Sequence, residues 1–227
     1  MIRKEELLQL QKVTGISLST IEKDYVLSLV LWGIATHKDI GSSWIFKGGT
    51  ALKKCYFGEY RFSEDLDYTL TEQASVDPKV IFTQLTESFV MIYETFGLRI
   101  NIQDVSIDPF PDKNGLVLQI KVPYQGPLLS SGSLPKIKLD LTRNEILVDK
   151  PELRPLLHTY SDAPLLNTKV LCYSIYEIFS EKLRAFVERT RPRDIYDIIH
   201  LKDYFIANKL NKEYLQEVAI QKFSYKI

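Results

Sequence analysis

Two aspartates, Asp65 and Asp67, stand two residues apart in the segment Phe62-Ser63-Glu64-Asp65-Leu66-Asp67-Tyr68. On an extended chain alternate side chains share a face, so both carboxylates project together while Leu66 and Tyr68 point the other way. Two like charges that close repel unless a cation lies between them. A divalent metal such as Mg²⁺, which favours a few carboxylates plus phosphate oxygens, meets that need. Taken alone, an Asp-x-Asp triplet is more often a solvated strand edge. Earlier in the chain, however, a strand ends in Gly48-Gly49-Thr50 and a helix begins, which offers an anion free backbone N–H groups and the positive end of a helix dipole. An anion cradle and a carboxylate pair on adjacent elements are the two parts that phosphoryl or nucleotidyl transfer requires. Asp140, on the polar face of an alternating strand, can share the same metals or take a proton from an incoming hydroxyl if its strand pairs beside that of Asp65. Otherwise it is a surface acid neutralised by Lys136 and Lys138.

A lysine supplies the next candidate. The helical neighbours of Lys182 three and four residues away are Ile178, Phe179, Ala185 and Phe186, so its ammonium emerges from an apolar stripe. Burying it unpaired is costly, and it should meet an anion: either a protein carboxylate, with Asp194 and Asp197 the nearest candidates, or a ligand phosphate. From Lys182 the cations Arg184, Arg189, Arg191 and Arg193 follow, opposed within the stretch only by Glu188. Such a run is either a solvated helix end or a surface for RNA phosphates, with Tyr173, Tyr176 and Tyr196 available for stacking.

The elements that must position these groups follow from hydrophobic period. Helices are expected over 5–13, from Ser17 and Ser19 through Ile34, over 51–57 and over 80–96, the last bounded by Pro78 and Gly97. Strands are expected over 44–46, 61–69, 98–107 and 116–124, the last two joined through Asp112-Lys113-Asn114-Gly115, whose Asn-Gly favours a tight reversal. Residues 136–142 alternate strictly, with Ile137, Leu139 and Leu141 on one face. After a loop carrying Pro151, Pro155 and Pro164, helices are expected over 173–189, 193–206 and 212–222. The fold class is α+β, a mixed or antiparallel sheet followed by a helical C-terminal part. The expected division is 1–150 for the core with its N-terminal helices and 151–227 for helices packed on it.

Composition excludes several classes. With 227 residues, 45% hydrophobic and 26% charged, the chain can bury a core without staples and is neither fibrous nor disordered. Cys55 and Cys172 provide neither a disulfide framework nor a zinc site by spacing, which points to a reducing, cytoplasmic setting. The N-terminus lacks the pattern of a secretory signal, and the longest apolar run falls far short of a membrane helix. His37, His158 and His200 lie far apart with no nucleophile motif beside them. Lys and Arg together number 29, as do Asp and Glu, so no whole-molecule field points to nucleic acid.

In order along the chain, Phe46-Lys47-Gly48-Gly49-Thr50-Ala51-Leu52, Arg61-Phe62-Ser63-Glu64-Asp65-Leu66-Asp67-Tyr68, Lys138-Leu139-Asp140-Leu141-Thr142, Glu181-Lys182-Leu183-Arg184-Ala185 and Arg191-Pro192-Arg193-Asp194-Ile195-Tyr196-Asp197 resemble the AbiEii-type nucleotidyltransferase toxins, a branch of the polymerase-β-like superfamily. The resemblance spans about residues 44–205. It implies a polymerase-β-like core and Mg²⁺-dependent transfer of a nucleoside monophosphate from a nucleoside triphosphate to RNA, notably the tRNA 3′ end, with an AbiEi-like antitoxin as partner. On this resemblance Asp65, Asp67 and Asp140 would be catalytic metal ligands. Lys47, Gly48, Gly49, Thr50, Ser63 and Lys182 would bind the nucleotide, with Lys182 also catalytic. Arg184, Arg191, Arg193, Asp194 and Asp197 would orient these groups or bind RNA. Transfer to a protein hydroxyl or a small molecule, and a non-catalytic nucleotide- or partner-binding module, are the alternatives.

Overall fold

The computed structural model describes residues 1–112, 115–129 and 132–224. Two N-terminal helices, α1 (Lys4–Thr14) and α2 (Leu18–Thr36), lead through a short helix α3 (Ile40–Ser43) into strand β1 (Trp44–Lys47). Helix α4 (Gly48–Ala51) continues without a break as a π-helical turn (Leu52–Tyr56); strand β2 (Asp65–Leu70) and helix α5 (Pro78–Phe96) follow. Then come β3 (Arg99–Ile100), a 3₁₀ turn (Ile102–Asp104), β4 (Ser106–Asp112), β5 (Gly115–Gln125), β6 (Lys136–Thr142), β7 (Glu152–Pro155), a second 3₁₀ turn (Ala163–Leu166) and β8 (Lys169–Cys172). The chain ends in α6 (Ile175–Arg189), α7 (Pro192–Ala207) and α8 (Lys212–Ser224). Among the described residues no helix is long and apolar enough to cross a membrane.

All eight strands join one mixed sheet in the order β3-β5-β6-β2-β1-β8-β7, with β4 also on β5. β1 runs antiparallel to β2 and parallel to β8, while β2 and β6 are parallel. The alternation of β6 shows why one face is dry: Ile137, Leu139 and Leu141 are fully buried, as are Leu66 and Ile120 on the neighbouring strands. Each such side chain contributes about 1.5–3 kcal/mol by burial. This face is covered by α2, which contacts β2, β6 and β8, and α5 packs on α2 in turn. Helix α2 is apolar nearly all round, as a helix buried on most sides must be, and it starts where the Ser17 side chain accepts from the Thr20 N–H.

Several elements differ from the sequence-based expectation. The segment expected as one strand over 98–107 breaks at Asn101, whose N–H donates to the Pro123 carbonyl at 3.0 Å and whose side chain holds Asp104 at 2.7 Å. The N–H still bonds across to β5, but the Asn101–Asp104 side-chain bond is local and favours the 3₁₀ turn that follows over further ladder. Strand β2 begins at Asp65, so residues 61–64 approach it as irregular chain. β7 and β8 arise inside the proline-rich stretch expected as loop. The expected hairpin is present, with β4 and β5 antiparallel and Asp112 opposite Gly115. Its Lys113-Asn114 tip lies outside the described residues.

By contacts the chain forms two compact units, the first of Met1–Asn144 with Leu153–Cys172, the second of Glu145–Glu152 with Tyr173–Ile227. The chain passes between the units after residues 144, 152 and 172, and residue 150, the expected boundary, lies within the Glu145–Glu152 segment of the second unit. Residues 153–172 stay with the first because β8 extends its sheet beside β1. In the second unit α6 packs on both α7 and α8. Its buried Lys222 is held by Glu177, Glu181 at 3.3 Å and the Ile146 carbonyl at 2.6 Å.

Candidate active site

The polar face of the sheet in the first unit is laid out by register. Asp65 lies opposite Lys138, and Asp67 opposite Asp140, across the parallel β2–β6 pair. On the other side of β2, Lys47 at the end of β1 lies opposite Asp67. On the far side of β6, Gln119 lies opposite Asp140 and Lys121 opposite Lys138. Strand pairing thus sets Asp67 beside Asp140, with Asp65 two residues away along β2 on the same face, a neighbourhood the sequence left conditional on the neighbour of β6.

Asp140 is held from two directions, by Lys138 Nζ at 2.6 Å and by Gln119 Nε2 at 3.3 Å. Burial pulls the Lys138 ammonium down, but its hydrogen bond to Asp140 and the fields of Asp140, Asp65 and Asp67 outweigh that and leave it above its ordinary value. Asp140 is the carboxylate that Lys138 pairs with directly, and Asp65 and Asp67 add to the field that favours the charged form of the lysine. Among the described residues no three His, Cys, Asp or Glu side chains are drawn together as a ready metal cluster. The all-oxygen donor set is nevertheless of the kind a hard cation takes.

The glycine turn abuts these acids. Gly48 has φ +81°, a left-handed conformation natural to glycine, and a Cβ there would collide with Asp67 Oδ2. A Cβ on Gly49 would lie 2.9 Å from Arg61 Nη2 and 3.2 Å from Ser63 Oγ. Arg61 and Ser63 therefore lean over the turn; Ser63 is among the residues expected at the nucleotide, and Arg61 is not. Thr50 is fully buried, and its hydroxyl donates to the Asp65 carbonyl at 2.5 Å. Its visible role is to tie the turn to the start of β2. Lys47, also buried, donates to Thr142 Oγ1 at 3.0 Å.

Lys182 and its neighbours belong to the second unit. The Lys182 ammonium lies 2.9 Å from Asp197 and 4.0 Å from Asp194, both carboxylates being fully buried. The anion foreseen from its apolar surroundings is thus provided within its own unit by α7. Asp194 also takes a forked pair of hydrogen bonds from Arg189 at 3.0 and 3.1 Å. Burial raises the Asp194 carboxyl, but Arg189, Lys182 and Arg193 together hold it below the usual range. Arg184 faces Glu188 at 3.8 Å, while Arg191 and Arg193 are exposed. Of the tyrosines considered for stacking, Tyr173 is fully buried and Tyr176 packs against Phe205 and Tyr214. Tyr196 is exposed and stacks on His200.

Gln119 carries no sequence signal in this layout and becomes visible only through the β5–β6 register. Lys138, which the sequence offers as a neutralising neighbour of Asp140, does pair with it, whereas Lys136 does not.

A mixed sheet flanked by helices, with a glycine turn beside carboxylates on adjacent strands, defines the class: an α+β protein whose first unit has the arrangement expected of phosphoryl or nucleotidyl transfer. The model of the family described as nucleotidyl transferase AbiEii toxin, type IV toxin–antitoxin system, matches residues 30–226, and the chain belongs to that family. Membership makes it a nucleotidyltransferase-family protein of toxin–antitoxin type, and with that come a nucleoside triphosphate substrate and an antitoxin partner. The crystal structure of JHP933 from Helicobacter pylori is similar over 84% of this chain and 68% of that one, with a TM-score of 0.58 and 18% identity, a likeness of fold. The comparison with curated proteins found no match.

Proposed function

We propose that this chain transfers a nucleoside monophosphate from a nucleoside triphosphate to an RNA acceptor, the tRNA 3′ end above all, and that an AbiEi-like antitoxin restrains it in the cytoplasm. The observation that carries the reading is the β2–β6 register, which sets Asp67 opposite Asp140 with Asp65 on the same face of β2, and the Gly48 turn packed against Asp67. In the step proposed, an acceptor hydroxyl oxygen bonds to the α-phosphorus while the bond from that phosphorus to the bridging oxygen breaks and pyrophosphate leaves. The hydroxyl proton passes to Asp140. Gly48 and Gly49 present backbone N–H groups to the triphosphate, with Ser63 alongside. Asp65, Asp67 and Asp140 would hold Mg²⁺, which when bound neutralises the charge gathering on the phosphate oxygens.

The test is incubation with each α-labelled nucleoside triphosphate, total RNA and total protein in one tube. Labelled RNA is expected, abolished in Asp65→Asn, which removes one charge and should disturb catalysis far more than folding. Label in protein or a small molecule with RNA untouched would transfer the reading to that acceptor. Nucleoside triphosphate binding without turnover would reduce the chain to a binding module. Lys182→Ala separates two roles: lost labelling with unchanged stability assigns Lys182 to the nucleotide, and lost stability assigns it to its ion pair with Asp197. Growth arrest on induced expression, relieved by the adjacent open reading frame, tests the toxin role.

A further inference from the structure

Beyond the acids, on the side of the sheet away from the glycine turn, two lysines stand without the partners their position calls for. Lys121 on β5 lies directly opposite Lys138 on β6, and like charges so placed destabilise a sheet. Lys138 is relieved by Asp140. Lys121, half-buried, and Lys136, exposed two residues before Lys138 on the same face, form no ion pair or side-chain hydrogen bond among the described residues. Lys136 also borders a polar cavity of about 600 Å³, lined by Asn101, Asp104, Ser133 and Lys136 over Pro123. That lies within the range of about 300–1,000 Å³ typical of ligand pockets. By strand geometry the Lys136 and Asp65 backbones are about 8 Å apart, two residues along β6 and one strand across.

Two anion-receptive places therefore flank the carboxylates, the glycine turn on the β1 side and Lys121 with Lys136 on the β5 side, and the cavity adjoins Lys136. Displacement at phosphorus needs the entering and leaving oxygens roughly in line, on opposite sides of the phosphorus. We infer that Lys121, Lys136 and the adjoining cavity form the acceptor subsite, where the phosphodiester backbone of a single-stranded RNA end is bound so that its terminal hydroxyl meets Asp140. Lys121 and Lys136 each take a backbone phosphate. Asp104, held at 2.7 Å by the Asn101 side chain, carries a charge that repels phosphate and accepts from a ribose 2′-hydroxyl, the group that separates RNA from DNA. This subsite rests on the RNA-acceptor reading above.

The experiment measures binding of a short fluorescein-labelled single-stranded RNA across a salt series, together with labelling kinetics on tRNA, for the full chain and for Lys121→Ala, Lys136→Ala and the double variant. With a slope of about 0.7 per phosphate contact on single strands, each alanine should lower the salt slope by about 0.7 and weaken binding about fivefold at 0.1 M salt. In the kinetics KM for tRNA should rise with kcat little changed, Lys→Arg variants should recover most of the loss, and the thermal stabilisation by nucleoside triphosphate should stay as in the parent. Thermal unfolding of each variant reports whether it is folded, and the arginine variants keep the comparison open if an alanine variant is not. Unchanged RNA binding and KM in the double variant, while the parent still labels RNA, would overturn the subsite and leave the activity standing. A parent chain that labels protein or a small molecule and retains no RNA would overturn both.

Discussion

Gly48 sets the geometry of the acidic site more than any side chain near it. Its backbone has φ +81° and its missing Cβ leaves room for Asp67. Gly48→Ala combines left-handed strain, about 1–2 kcal/mol, with displacement of a carboxylate from its place opposite Asp140. We expect that loss of stability in urea unfolding, and a fall in labelling of about a hundredfold, the scale of a 1 Å misplacement at a reacting centre. A stable, fully active Gly48→Ala would mean that Asp67 need not sit where it does. At this scale the sequence was most informative about type and least about partners. Asp65 and Asp67 could be placed on one face from alternation alone. The family resemblance implies Thr50 as a nucleotide-binding residue, and its hydroxyl donates to the Asp65 carbonyl. Only tertiary contact decides which of two oxygen partners a buried hydroxyl takes.

At the level of elements, the helix after the glycine turn is anchored from within. Its π-helical continuation turns Lys53 and Lys54 inward: Lys53 donates to the Tyr60 carbonyl at 3.1 Å and lies over the Phe62 ring. Lys54 pairs with Asp24 of α2 at 2.7 Å, and Tyr160 donates to the same carboxylate at 2.9 Å. Burial draws the Lys54 ammonium below its ordinary value, against the pull of Asp24. Asp24 Oδ1 is already buried without a hydrogen-bond partner, so removing the lysine would leave the carboxylate poorly compensated. Lys54→Met should therefore cost about 3–5 kcal/mol, the range for breaking a buried pair from one side. Asp24→Asn combined with Lys54→Met should cost clearly less than the sum of the two singles, read from urea unfolding as a double-mutant cycle. Additive losses would show that the pair does not act as a unit. Neither the pair nor β8 could be read from the chain. A lysine at 54 follows a helical pattern only if the turn is α, and β8 becomes a strand because β1 offers it a parallel edge, despite the prolines upstream. The strict alternation of β6 and the punctuation of α5 by Pro78 and Gly97 were legible because both depend on local period alone.

For the whole molecule the equal totals of 29 acids and 29 bases say little about stability against pH. What enters is the set of groups whose proton affinity changes on folding. Two buried carboxyls, Glu22 and Glu177, are raised above the ordinary 4.5, burial being the larger cause against the Leu128 N–H at Glu22 and against Lys222 at Glu177. Asp162 is lowered below 3.8: burial raises it, but hydrogen bonds from His158 and Tyr25 outweigh that. The signs are opposite. A raised carboxyl holds its proton more tightly when folded, so stability falls as pH rises from about 4.5 through the raised value. A lowered carboxyl adds stability above 3.8 that is lost as pH falls through the lowered value. Glu22→Gln retains an acceptor for Leu128 and cannot ionise, so its unfolding free energy should lose part of the downward slope above pH 4.5. The variant should equal or exceed the parent near neutrality. Asp162→Asn should be less stable than the parent at neutral pH, with the difference closing in acid. Unfolding in urea at a series of pH values checks both, and a Glu22→Gln curve parallel to the parent across that range would show that the Glu22 carboxyl titrates alike in the folded and unfolded chain.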